Sequence, residues 1–287
     1  MKLNETYQLA NGVELPKLGF GTWMFEDDQA AEKVRTAIKL GYRHIDTAQG
    51  YGNERGVGEG VRTSGVARDD LFVTTKLDAS FKTYTAAQQA IDDSLSRSGL
   101  DYFDMMIIHS PEPWDDFRSG NHYFEGNLAA WRALEAAYQA GKLRAIGVSN
   151  FESVDLDNLL VNGTVAPMVD QVLAHIGNTP FDLINYAQHR DILVEAYSPV
   201  AHGAMLKTAA ITTMAEKYSV SVPQLAIKYC LQLGLLPLPK ASSAGHMKNN
   251  TELDFEISTV DMATLKAVKM ADYGSDQVFP VYNGKQD

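Results

Sequence analysis

Eight short apolar segments recur along the chain, each separated from the next by a polar or amphipathic stretch. They are LGFGT (18–22), RHIDTA (43–48), LFVTTKL (71–77), FDMMIIH (103–109), RAIGVSN (144–150), MVDQV (168–172), ILVEAYSPV (192–200) and LLPLPK (235–240). They are rich in Val, Ile, Leu and Met on both faces, as strands buried between two layers must be. Helical stretches such as DDQAAEKVRTAIKLG, TAAQQAIDDSLSRSG and NLAAWRALEAAYQAGK lie between them and end at Gly41, Gly99 and Gly141 or just past it. Glycine is the usual helix C-cap. An unbroken series of eight βα units predicts an α/β fold, the (β/α)8 TIM barrel. A doubly wound sheet would need a reversal, and no Pro/Ser/Gly-rich linker supplies one. Gly19 and Gly21 alone make no dinucleotide fingerprint. Residues 1–287 are therefore read as one domain, with an N-terminal β-hairpin around Asn11-Gly12.

In such a barrel the C-terminal strand ends converge on one face, where chemistry is built. Asp46 ends the second strand, with Tyr51 in the loop beyond it; Lys76 ends the third and His109 the fourth. Singly, each has an ordinary reading. An Asp-x4-Tyr pair is common, a lysine at a strand end usually snorkels to water, and a lone histidine is usually structural. Three successive strands ending in complementary titratable groups are harder to explain by packing, because a buried Lys76 demands a partner such as Asp46. A phenol titrates at about pH 10 in water, and a Lys76 cation beside Tyr51 should lower that. Asp46 would hold Lys76, and His109 would orient a substrate oxygen. The set is suited to protonating an oxygen as negative charge develops on it. That is half of a carbonyl reduction, and the other half is a hydride, which no side chain supplies.

The formal net charge of −11 argues against nucleic acid or an anionic membrane as partner. No apolar run approaches the roughly 18 residues of a membrane span. Cys230 is the only cysteine; it sits in the helical run VPQLAIKYCLQLG, reads as a core thiol, and fits a reducing compartment. With no signal peptide read after Met1, a cytoplasmic location is expected. No metal is expected either: there is no H-x-H or H-E-x-x-H, and no convergent pair of acids of the kind a hydrolase would need. The irregular stretch after strand four (109–127) reads as a lid or pocket wall.

Taken together, GFGTW, HIDTAQGYGNE, the Lys in VTTKL, the IHSP run, GVSNF, EAYSP and the late PK resemble, in order and approximate spacing, the aldo-keto reductase family from end to end. The resemblance implies Tyr51 as general acid, helped by Lys76 and Asp46, with His109 orienting the carbonyl. It implies that Ser149, Asn150 and Gln171 hold a nicotinamide carboxamide and that Tyr197 stacks on the ring. Thr22 and Asp46 would lie near the ribose end, and Ser198 would face the pyrophosphate. Lys240, Ser242, His246 and Asn250 would surround the adenosine and its 2′-phosphate, and Trp23 would line the substrate pocket. NADPH is the implied cofactor, NADH a second one, a small carbonyl compound the substrate, and a monomer the usual state. The bland alternatives are that Ser149-Asn150 cap the following helix and that Tyr197 is a barrel-core aromatic.

Two positions depart from the family pattern. Ser110 follows His109 where many relatives have Trp, so the pocket should lose an aromatic wall unless Trp114 or Phe117 swings in from the loop. His246 stands where the family commonly has Arg, which gives up a permanently charged bidentate partner for the 2′-phosphate. A smaller departure puts Asp170 and Leu173 in the VDQVLAH run. The leading expectation is reduction of small aldehydes and ketones. An NAD(P)+-dependent secondary-alcohol or polyol dehydrogenase, and a cofactor-sensing protein without turnover, are the alternatives.

Overall fold

The computed structural model of the chain describes residues 3–270 and 272–282. A hairpin of β1 (Thr6–Gln8) and β2 (Glu14–Pro16) leads in. Its turn is closed by Leu9 N–H donating to the Val13 carbonyl at 2.9 Å, with Gly12 at φ +84°. The barrel strands are β3 (Gly19–Gly21), β4 (His44–Asp46), β5 (Phe72–Leu77), β6 (Phe103–Ile108), β7 (Leu143–Ser149), β8 (Val169–Leu173), β9 (Leu193–Tyr197) and β10 (Leu236–Leu238). All eight run parallel, each pairing with the next in sequence. The ends meet where Gly21 N–H donates to the Pro239 carbonyl at 3.1 Å. Glycine is needed at this seam, because a Cβ on Gly19 would lie 2.3 Å from Leu238 Cδ2. The eight-strand barrel expected from the sequence is thus found, nearly closed, with most strands shorter than their apolar segments.

The connecting helices are α1 (Asp27–Lys39), α2 (Glu54–Arg62), α3 (Tyr84–Ser98), α4 (Phe124–Gln139), α5 (Ser153–Asn162), α6 (Phe181–Gln188), α7 (Ala209–Lys217) and α8 (Val222–Gln232). The short α9 (Ala244–Asn249) and α10 (Thr259–Ala267) follow β10. Gly41, Gly99 and Gly141 all have positive φ just past helix ends, which is the conformation that ends a helix at glycine. Every residue of β5 and β6 is buried, so their both-face apolar pattern reflects a barrel interior on one side and helices on the other. Cys230 is fully buried on α8, where burial pushes its thiol up to about 12. Among the described residues no helix is long and apolar enough to cross a membrane. The tail, expected to shape the pocket over 273–287, is described only to Tyr282; residues 283–287 lie outside the described residues.

Candidate active site

Strand alternation sets which side chains enter the barrel. On β5, Thr75 points out, its hydroxyl donating to Glu54 Oε1 of α2 at 2.6 Å, so Lys76 points in. Lys76 Nζ donates to Asp46 Oδ1 at 2.5 Å, to the Thr47 carbonyl at 2.9 Å and to Tyr51 Oη at 3.2 Å. All three ammonium protons are therefore engaged. The Lys76 side chain is 1% exposed, so the ion pair is dry.

The segment after β4 is built to aim Tyr51. Thr47 N–H extends the sheet by donating to the Thr74 carbonyl, then residues Gln49–Tyr51 make a tight 3-10 turn. Gly52 follows at φ +70°, a backbone that disfavours any side chain. Asn53 is fully buried: its amide donates to the Thr22 and Phe25 carbonyls, and Thr47 Oγ1 donates to its Oδ1. Gln49 is pinned at both ends, accepting from Asp78 N–H and donating to the Ala90 carbonyl and Ser94 Oγ. Thr22 Oγ1 donates to the Asp46 carbonyl at 2.8 Å, tying β3 to β4 at the mouth.

The His109 ring stands 5.6 Å from the Tyr51 ring, nearly perpendicular to it. Burial, with Lys76 adding to it, holds this imidazole well below its ordinary pKa, so it is neutral. Tyr51 departs from the sequence expectation. Its phenol is raised above 10.0, because burial outweighs the opposing Lys76 cation. The phenol is thus kept protonated rather than primed as a phenolate. For Lys76 itself burial favours loss of the proton, but Asp46 and Tyr51 together outweigh it and hold the ammonium.

A second cluster lies beside the first. Ser149 Oγ donates to the Gln171 carbonyl at 2.7 Å. Asn150, at φ +61°, donates to the His109 carbonyl and Ser149 Oγ, and Tyr197 Oη donates to its Oδ1 at 2.7 Å. Asn is among the few residues that tolerate that backbone. Helix capping does not explain the pair, because the N-cap of α5 is Glu152, in a reciprocal capping box with Asp155. Gln171 Nε2 donates to Asp46 Oδ2 at 3.0 Å and to Glu195 Oε2 at 2.8 Å. Two acids therefore converge, contrary to the expectation from sequence. They come from β4 and β9, far apart in the chain, and only barrel closure unites them. Ser198 follows β9 at φ +49°. Lys240, Ser242 and His246 are exposed after β10, with Lys240 Nζ 4.6 Å from the Phe25 ring centroid, while Asn250 is buried at the end of α9.

Of the residues expected at the pocket, Ser110 follows His109 in a fully buried position. Trp114 stands edge-on to His109 at 5.0 Å, with Phe117 5.3 Å from Trp114. Trp23 packs on His202 at 4.7 Å and Phe279 at 4.9 Å, so the tail reaches the mouth. The sequence reading missed His202, Phe279 and Glu195; of these only Glu195 had a signal, a lone acid inside an apolar strand. At the start of α5, His122, Glu152 and Asp155 bring possible metal-ligand atoms within 4.8 Å of one another. Hydrogen bonds account for the grouping: His122 Nδ1 with Asp155 at 2.8 Å, the capping box, and Arg118 on Glu152.

Residues 17–269 match the family model described as Aldo/keto reductase family. The chain belongs to the aldo/keto reductase family. It is 40% identical to the glyoxal reductase of Bacillus subtilis, over 93% of each chain. It superposes on the crystal structure of an aldo/keto reductase from Brucella melitensis with a TM-score of 0.86, at 34% identity, covering 93% of this chain and 98% of that one. A Bombyx mori aldo-keto reductase solved in complex with NADP gives a TM-score of 0.83 at 32% identity, covering 93% and 92%. The protein is accordingly an oxidoreductase of a family that uses nicotinamide cofactors to reduce carbonyl groups.

Proposed function

We propose that this aldo-keto reductase reduces small aldehydes and ketones, α-dicarbonyls among them, with NADPH and with Tyr51 as the proton donor. The observation that carries the reading is Lys76 Nζ, which bonds the Asp46 carboxylate and the Tyr51 hydroxyl at once. The glyoxal reductase relative supports the dicarbonyl class, and the NADP-bound neighbour supports the cofactor. The residues fit that cofactor. Gln171 has both amide protons engaged, so its carbonyl oxygen is the group left to accept from a carboxamide. Ser149 and Asn150 complete that cradle, and Tyr197 offers a ring face held by its bond to Asn150. Thr22 and Ser198 edge the mouth. Lys240, Ser242 and His246, with Asn250 behind them, stand where a charged phosphate can be met. When bound, the nicotinamide supplies the hydride. Tyr51 passes its proton to the carbonyl oxygen, and Lys76 stabilises the phenolate that forms. The neutral His109 imidazole orients that oxygen, while Trp114 and Trp23 wall the substrate. Residues 1–287 act as one domain and as a monomer in the cytoplasm.

The test is loss of reduced-nicotinamide absorbance with NADPH, then NADH, against small aldehydes, dicarbonyls and keto esters. Turnover is expected; tight cofactor binding with no turnover on the panel, or with NAD(P)+ and alcohols, overturns the reading. Two further results are expected from the same assay. With His246 at the phosphate site in place of a permanently charged, bidentate arginine, the preference for NADPH over NADH should be weak. A strong NADPH preference rules this out. Trp114→Ala should raise KM for small carbonyls by roughly threefold to tenfold, the worth of one aromatic contact, with less effect on kcat. Unchanged KM would remove Trp114 from the pocket.

A further inference from the structure

Glu195 enters the barrel from β9, directly opposite Gln171 on β8 and Leu236 on β10 in the sheet register. It is fully buried. Oε2 accepts from Gln171 Nε2 at 2.8 Å, while Oε1 is buried without a hydrogen-bond partner among the described residues. The same Gln171 nitrogen donates to Asp46 Oδ2 at 3.0 Å, so one amide joins two carboxyl groups. The titratable groups facing Glu195 are Asp46 from β4 and Lys76 from β5. The three protons of Lys76 go to Asp46, the Thr47 carbonyl and Tyr51, leaving none for Glu195. The nearby histidines bring no second charge, since burial holds both His44 and His109 neutral. Two buried carboxyl groups therefore share one cation, and two negative charges there would leave one unpaired in a dry interior.

We propose that Glu195 carries a proton in the resting enzyme and acts, through Gln171, as a positioning residue for the Asp46–Lys76–Tyr51 proton donor. Burial, with the Asp46 charge adding to it, raises the Glu195 carboxyl to about 8, in keeping with that charge count. The inference rests on the reductase reading. Neutral Glu195 leaves Asp46 and Lys76 balanced, so the only new charge in reduction is the Tyr51 phenolate. Ionised Glu195 puts a second negative charge beside Asp46, and proton release from Tyr51 becomes harder. Reduction should therefore fade on the alkaline side, while Gln171 keeps its grip on Asp46 throughout.

The experiment compares wild type, Glu195→Gln and Glu195→Leu. The readouts are kcat and KM from pH 6 to 10 at saturating NADPH, and thermal unfolding over the same range with NADPH bound. Wild-type kcat should fall by roughly tenfold between pH 7 and 9.5, as one ionisation beside the donor implies. Glu195→Gln, a neutral isostere that still accepts from Gln171, should flatten that limb. Glu195→Leu, which leaves Gln171 with one acceptor, should lower kcat by about tenfold with KM for NADPH little changed. The melts report protonation without turnover. The folded carboxyl titrates above its unfolded value, so its stabilising contribution is full at low pH and is lost as pH rises through about 8. The melting-temperature advantage of Glu195→Gln should thus widen from pH 6 to 8 and level off above. A Glu195→Gln enzyme with the wild-type alkaline limb and a pH-independent melting difference overturns the inference. If wild type reduces nothing, the functional reading fails instead, and the melts still decide whether Glu195 holds its proton.

Discussion

Tyr51→Phe should leave cofactor binding intact and lower carbonyl turnover by at least about 10²-fold, the low end for removing a general acid. The substitution deletes one oxygen and little else. The ring that stands 5.6 Å from His109 and 4.9 Å from Lys76 Nζ remains, so local packing and the cation–ring contact persist. Lys76 keeps its bonds to Asp46 and to the Thr47 carbonyl. No second donor stands ready: burial holds the His109 imidazole neutral, and a neutral imidazole is a poor proton source for a developing alkoxide. The raised phenol matters in the same direction. Burial keeps Tyr51 protonated through the neutral range, which is the form a reductase needs, while Lys76 waits 3.2 Å away to meet the charge once the proton has left. A fluorescence titration with NADPH beside steady-state kinetics separates binding from chemistry. Near-normal turnover with normal binding would take Tyr51 out of the mechanism.

The barrel was legible because strands buried on both faces advertise themselves as continuous apolar runs, and eight of them in series allow few closures. The quartet Asp46, Tyr51, Lys76 and His109 was legible for the converse reason: polar groups ending such runs have no packing excuse. Both-face burial also hid something. Where each side of a strand is covered, the sequence cannot say whether an acid points into the barrel or toward the helices. Asp104 on β6 and Glu195 on β9 are both buried strand acids, yet Asp104 meets the Val73 N–H, Arg68 and Arg144 outside the barrel, and Glu195 meets Gln171 inside it. The direction of the Tyr51 shift was missed because the sequence names the nearby cation but not the depth of burial, and burial is the larger cause. Ser110 and Trp114 illustrate a third limit. The missing aromatic after His109 was visible, but the approach of Trp114 to His109 depends on a fold of residues 110–123 that no periodicity encodes.

Lys76→Met should be both inactive and markedly less stable, and the two losses have different origins. Turnover falls by more than in Tyr51→Phe, because the Tyr51 phenolate would then form in a buried site with Asp46 beside it and no cation. Stability falls because the substitution removes one half of a dry ion pair. Breaking such a pair from one side costs about 3–5 kcal/mol, equivalent to a drop in melting temperature of order 10 °C for a chain of this size. Asp46 would be left with Gln171 as its side-chain partner, sharing its surroundings with the second buried acid, Glu195. Adding Asp46→Asn removes the stranded charge. The double variant should therefore regain part of the lost melting temperature while gaining no turnover. Thermal unfolding and reductase assays on wild type, both single variants and the double variant form a cycle that measures the coupling directly. If Lys76→Met melts with wild type, or if Asp46→Asn brings no recovery, the 2.5 Å contact is not the buried ion pair on which the site's electrostatics depend.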